Sequence, residues 1–179
     1  IMDCEQRIQA LSKINEPSNS YITHLKNIID QLSEAKACLP NYSGGLGRVF
    51  SAGDFGRHNT IVTDTECFFI DFEFSGVDDL SKLLFDFVLH PGQCITHPER
   101  QIFFNSVTSF FGLGSESEDK YSFYFSIYKL RWSLIVLNIF LPAFSDRNTD
   151  MLAKEIQKNM ENHLNKSTYI FNLSLEDLL

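Results

Sequence analysis

Paired cysteines are missing from this sequence. Cys4, Cys38, Cys67 and Cys94 lie far apart, no C-x-x-C pair occurs, and no histidine stands at a companion zinc spacing. A reduced, cytoplasmic setting is the expectation. Positive charge is also scarce: 15 Lys and Arg stand against 23 Asp and Glu, giving a net charge of −8 and a pI near 5.0. The chain as a whole is therefore not drawn to nucleic acid or to anionic lipid, and a bound polyanion would need a local cationic site such as a metal. The nearly continuous apolar stretch from Trp132 to Phe140 runs about nine residues before Pro142, beside Lys129 and Arg131, whereas a membrane span needs roughly 20. It reads as a buried core helix, with no membrane partner. The start, Ile1 to Arg7, has no apolar signal-peptide core, and a chain opening on Ile before Met reads as an internal piece of something longer. Internal repeats and low-complexity tracts are absent.

What is present is the material of a core. Hydrophobic residues make up 44% and charged residues 21% of the 179 residues, and 17 are Phe. That is enough for one folded domain, 1–179, and too little for two of ordinary size. Apolar residues recur at helical intervals at Ile8, Leu11 and Ile14, then at Ile22, Leu25, Ile28, Ile29 and Leu32. Two helices are expected, separated at Pro17, with Ser18, Asn19 or Ser20 capping the second. From Arg48 to Gly76 the texture changes to short strands rich in β-branched and aromatic residues: Val49 to Ser51, Thr60 to Val62 and Cys67 to Ile70, the last two joined by a turn over Thr63 to Glu66. Helices return at Leu80 to Leu89, Pro98 to Phe111, Glu118 to Leu141 and Asp146 to Leu164, and the half-apolar end from Ile170 to Leu179 is expected to dock. The fold class is α+β, mainly α, with a small β-hairpin insert.

Chemistry concentrates in that insert, in Gly53-Asp54-Phe55-Gly56-Arg57-His58-Asn59 and Ile70-Asp71-Phe72-Glu73. Phosphoryl transfer from a nucleotide needs a carboxylate to orient the acceptor hydroxyl and take its proton, plus oxygen ligands that hold Mg²⁺ on the phosphates. An Asp followed by Asn five positions later lets one loop supply two such groups. The next strand delivers a third at Asp71. The letters Asp54-Phe55-Gly56 spell the protein-kinase metal motif, but nothing upstream serves as its catalytic loop: Asp3 and Asp30 are in helical stretches without Asn at the right offset. Position in the chain instead makes Asp54 the catalytic-loop residue and Asp71 the metal-motif residue.

These residues resemble the catalytic region of the aminoglycoside phosphotransferase and choline kinase family, which shares the protein-kinase-like fold and carries H-G-D-x-x-x-x-N before an I-D-F-E strand end. Gly53-Asp54, Asn59 and Ile70 to Glu73 match, while Ala52 replaces the leading His. The resemblance implies the helical C-terminal lobe of such a fold, Asp54 as catalytic base, and Asn59 and Asp71 as ligands of Mg²⁺ and through it of ATP. Gly76 to Leu80 with Asp86 is similar to the stretch that anchors the loop to the following helix. The segments Leu89 to Gly92 and Leu130 to Asn138 look like a little-characterised bacterial branch.

Around this triad stand secondary candidates. Arg57 is a candidate to neutralise phosphate charge and His58 to contact phosphate or substrate, each set against the commoner reading of a plain exposed residue. Glu73 and Asp79 read as structural. His90 and His97 flank a Pro-Gly turn, but no carboxylate pattern supports a metal pair there. The run Ser43 to Gly47 lacks the Gly-Lys ending of a P-loop and reads as a flexible connection. A kinase of this type also needs a β-rich N-terminal lobe with a strand lysine, and Lys13, Lys26 and Lys36, the only lysines before the loop, all lie on expected helices. The expectation is an ATP- and Mg²⁺-dependent phosphotransferase acting on a hydroxyl-bearing small molecule, a sugar, amino sugar or amino alcohol. Its N-terminal lobe would be missing from this piece, which alone would be inactive. The alternative is a catalytically silent kinase-like module that binds a metabolite or a protein partner.

Overall fold

The computed structural model describes residues 1–15, 17–42, 44–93, 95–114, 118–142 and 153–177. It is α+β and mainly helical, with two small antiparallel sheets. The backbone divides into two compact units, one formed by Ile1–Leu39 with Lys129–Leu173, the other by Pro40–Tyr128 with Ser174–Leu179.

The first unit is all helix: α1 (Met2–Leu11), α2 (Asn19–Cys38), the later part of α5 (Glu118–Val136), a 3-10 turn at Leu137–Phe140, and α6 (Ala153–Asn172). Ser18 caps α2, its Oγ accepting the Tyr21 N–H at 3.2 Å. The apolar spacing seen in the sequence converges on one core of Leu11, Tyr21, Leu25, Ile28, Leu32, Leu130, Leu134, Leu137 and Phe171. The Tyr21 hydroxyl finds the Leu11 carbonyl at 3.1 Å, and burial pushes its phenol well above the ordinary value. Trp132, Leu134, Val136 and Leu137, from the stretch expected to be a core helix, are buried. Among the described residues no helix is long and apolar enough to cross a membrane.

Two expectations shift here. Helix α1 ends at Leu11, so Lys13 falls in the turn that follows. The last helix runs past Leu164 to Asn172 and buries Ile170 and Phe171, while 146–152 of its expected start lie outside the described residues. The hydrophobic stripe is interrupted on its buried face by Ser167, which hides the continuation in the sequence. Ser167 is fully buried and paired: its hydroxyl donates to the Ser133 carbonyl at 2.8 Å and meets His24 Nε2 at 2.7 Å.

His24 is therefore buried against a hydroxyl whose own proton is already committed, and burial pushes its pKa below the usual 6.5. The unfolded chain binds a proton at His24 before the folded one does, so stability is complete above about pH 6.5 and falls as the pH drops through and below it. Urea midpoints measured from about pH 7.5 to 5.5 should decline, and His24→Asn should flatten the decline.

The second unit carries the strands. β1 (Arg48–Ser51) pairs antiparallel with β4 (Gly76–Asp79), setting Ser51 opposite Gly76, and β2 (Thr60–Val62) pairs with β3 (Cys67–Phe69), setting Thr60 opposite Phe69. The hairpin turn closes as its sequence suggests, with Thr63 N–H on the Glu66 carbonyl at 2.9 Å. β4 was not legible: Gly76-Val77-Asp78-Asp79 has no strand-forming bias, and only its partner β1 extends it. Asp79 then caps α3 (Leu80–Leu89) by accepting the Ser81 N–H at 2.9 Å. A capping box of Thr96 and Glu99 starts α4 (His97–Phe110).

The glycine-rich run is not the loose connection expected. Leu46 is buried, its N–H reaches Asp79 Oδ1 at 3.3 Å, and the Leu80 N–H bonds the Gly47 carbonyl at 2.7 Å. Asp79 lies so close to Gly45 that a side chain there would overlap its carboxylate. Glycine serves close approach at this point, and Gly45 to Gly47 are docked onto the start of α3.

Candidate functional site

The loop between β1 and β2 is built from the strand outward. Ser51 ends β1 and its Oγ accepts the Gly53 N–H at 3.1 Å. Gly53 turns the chain at φ +83°, and the next residue, Asp54, leaves its carboxylate about half exposed. A 3-10 turn at Arg57–Asn59 brings the chain back. Asn59 is buried; its Nδ2 donates to the Asp54 carbonyl at 2.9 Å, and its own carbonyl accepts the Ile70 N–H at 2.9 Å. Asp71 follows at once, exposed, in the left-handed conformation at φ +63°. Asp and Asn enter that region more readily than other side chains.

Asn59 is thus the hub that connects the loop carrying Asp54 to the strand end carrying Asp71. The three side chains are not hydrogen-bonded to one another: the Asn59 amide holds the Asp54 backbone, which leaves its oxygen and both carboxylates uncommitted among themselves. The other two candidates have different surroundings. Arg57 is exposed, with its backbone N–H held by Gln93 Oε1 at 2.9 Å. The Glu99 carboxyl is held low first by its backbone and side-chain hydrogen bonds with Thr96, with the Arg57 charge adding to them. His58 turns back on Asp54, Nε2 to Oδ1 at 3.2 Å, and its ring stacks on His90 with centroids 4.9 Å apart and planes 19° from parallel. His90 therefore finds its carboxylate in Asp54 and its companion in His58 rather than in His97.

Two residues that the sequence did not mark hold this loop. Gln93 is buried and bonds it twice: Oε1 accepts from Arg57, and Nε2 donates to the Phe55 carbonyl at 3.1 Å. Lys82 donates to the Gly53 carbonyl at 3.2 Å and to Asp78 Oδ2 at 2.9 Å, with Asp86 Oδ2 at 3.9 Å. The resemblance in Gly76 to Leu80 with Asp86 had drawn attention to the acids, yet the cation between them makes the contact to the loop. Phe55 completes the support, packing on Phe87 at 5.4 Å between centroids while Phe87 stacks on Phe103 at 4.0 Å.

Because Gln93 satisfies one donor and one acceptor of the loop, Gln93→Ala should leave both unpaired and cost about 1–3 kcal/mol for each group that water cannot reach. Hydrogen exchange at Arg57 should speed up, with helix α5 unaffected. No protein-family model matches the chain, and no curated protein matches it.

Proposed function

We propose that this chain carries the catalytic loop of a Mg²⁺- and ATP-dependent phosphotransferase that acts on a hydroxyl of a small molecule such as a sugar, amino sugar or amino alcohol. The observation that supports the reading most directly is the Asn59 hub: one buried side chain bonded to the Asp54 backbone, one backbone bond from Ile70, and Asp71 next in the chain. It gives a mechanical reason for the Asp–Asn spacing and for the following strand, which a solvent-exposed turn would not need.

The donor set suits a hard cation. With Nδ2 committed to Asp54, Asn59 offers its amide oxygen, and Asp71 offers an exposed carboxylate; both are the oxygen ligands that Mg²⁺ prefers. Bound there, the metal supplies charge neutralisation on the transferring phosphoryl group. Asp54 does the proton work. Its carboxylate orients the acceptor hydroxyl and takes the proton as the oxygen attacks, while Asn59 and Lys82 fix the backbone on either side of it. His58 Nε2 lies 3.2 Å from one oxygen of the same carboxylate. Arg57, exposed beside it, supplies positive charge toward phosphate oxygens.

The second reading, a catalytically silent module, draws support from the exposed aromatic and aliphatic side chains of the strand region, among them Phe50, Val62, Phe72 and Phe74. One experiment separates them. The longest natural chain containing these residues is incubated with Mg-ATP and a panel of sugars, amino sugars and choline, and ADP release is followed. Acceptor-dependent turnover that vanishes without Mg²⁺ supports the phosphotransferase; no turnover and no Mg²⁺-dependent nucleotide binding removes it in favour of the binding module.

A further inference from the structure

Asp54, His58 and His90 each offer a ligand atom, and the three atoms lie within 4.8 Å of one another. No other group of three or more His, Cys, Asp or Glu among the described residues meets this condition. We propose that these residues form a second cation site, selective for Zn²⁺ and similar borderline transition metals over Mg²⁺, and that its occupation withdraws Asp54 from catalysis. The second half of this statement rests on the phosphotransferase reading; the first does not.

Geometry and donor chemistry carry the argument. In a tetrahedral zinc site the metal–nitrogen and metal–oxygen bonds are about 2.0–2.2 Å, which sets neighbouring ligand atoms roughly 3.3 Å apart. His58 Nε2 and Asp54 Oδ1 stand 3.2 Å apart, close to that edge length. His90 sits at the end of α3 with its ring stacked on His58, so a modest rotation of one ring completes a three-ligand set. Two imidazole nitrogens with one carboxylate favour Zn²⁺, Ni²⁺ or Co²⁺, whereas Mg²⁺ takes oxygen ligands and keeps its waters. Three protein ligands leave an open position for water.

The cost is also visible. His90 Nδ1 accepts the Gly92 N–H at 3.0 Å, so its ring proton rests on Nε2. Binding a metal through His90 costs that turn hydrogen bond either way: the metal takes Nδ1 itself, or it takes Nε2 and the ring proton moves to Nδ1. The affinity is accordingly that of a regulatory or opportunistic site rather than a structural one. Both histidines must also be neutral, so binding weakens in acid.

The consequence for catalysis follows from Asp54 being shared. A carboxylate oxygen bound to a divalent cation no longer accepts the proton of an incoming hydroxyl. Zn²⁺ would then lower kcat without displacing nucleotide, since Asn59 and Asp71 are not among its ligands.

The test reads binding first, independently of activity. The purified chain is titrated with Zn²⁺ against a chromophoric chelator, and with Co²⁺ for the visible absorption of a low-coordinate site. One equivalent should bind, Mg²⁺ in excess should not displace it, and His58→Ala and His90→Ala should each weaken it by more than about 100-fold, beyond the loss expected when only a partner that braces a ligand is removed. Circular dichroism confirms that the variants fold, and His58→Asn and His90→Asn serve if either alanine variant does not. Equal binding by the variants, which would place the metal on groups such as the exposed Cys38 and Cys67, or no binding at all, overturns the site. Binding without any turnover to inhibit in the longest natural chain containing these residues would sink the phosphotransferase reading and leave the site standing. Turnover unaffected by saturating Zn²⁺ would overturn the regulatory half.

Discussion

On the phosphotransferase reading, Asp54→Asn is expected to lower turnover by about 10²- to 10⁴-fold, the range that a positioned general base contributes, and to leave the melting temperature unchanged. The second half of that result matters as much as the first. The Asp54 carbonyl, which accepts from Asn59, belongs to the backbone and survives the substitution. Asparagine also keeps the size and shape of the side chain that lies beside His58 Nε2. The change therefore removes basicity and little else. If Asp54 takes the acceptor proton, kcat falls and KM for Mg-ATP stays level, because the interaction lost is one made in the transition state. A variant that keeps full turnover would show that the carboxylate is not the base. One that loses both turnover and nucleotide affinity would move Asp54 to the metal, the role that the misleading letters Asp54-Phe55-Gly56 suggest.

Much of the fold could be read from periodicity because each element is stabilised by neighbours close in the chain. The helix α2 with its Ser18 cap, the helix α3, and the β2–β3 hairpin all follow from local rules of spacing, capping and turn chemistry. What escaped was decided by distant partners. β4 is a strand only because β1 lies beside it. Helix α6 continues past its hydrophobic stripe because His24 and Ser133, far away in sequence, satisfy Ser167. The same division runs through the candidate site. Asp54, Asn59 and Asp71 stand out in the sequence because their spacing is a chemical pattern. Gln93 and Lys82 carry no such signal, since a buried glutamine or a clamping lysine is defined by which carbonyl it meets. His90 gave a faint one, as half of a histidine pair, but its partner proved to be His58 and its carboxylate Asp54, residues that no spacing rule would have joined to it.

Gly53→Ala tests the loop itself, and its effect should be large in both stability and activity. Gly53 sits at φ +83°, where a side chain costs about 1–2 kcal/mol. Gly112 isolates the strain from the overlap: it too has positive φ, but a Cβ there would meet open space. At Gly53 the added carbon would lie 2.2 Å from the Phe74 carbonyl oxygen and 2.6 Å from its carbon. Those are backbone atoms, so no rotamer change relieves the overlap. Nor can the two segments simply part. Two residues away on each side, Ser51 and Gly76 are paired in the β1–β4 ladder, and Lys82 grips the Gly53 carbonyl and Asp78 together. The loop must shift, and Asp54 moves with it. A displacement near 1 Å at a reacting group costs on the order of 10²-fold in rate. Gly53→Ala should therefore lower the melting temperature and reduce kcat by about that factor, whereas Gly112→Ala should lose only the stability that the strain costs and retain turnover. Should Gly53→Ala keep full stability, the close packing of this loop on the Phe74 backbone would be wrong. Should it lose stability but keep turnover, the position of Asp54 would not matter to the reaction, and the case for it as the base would fall with it.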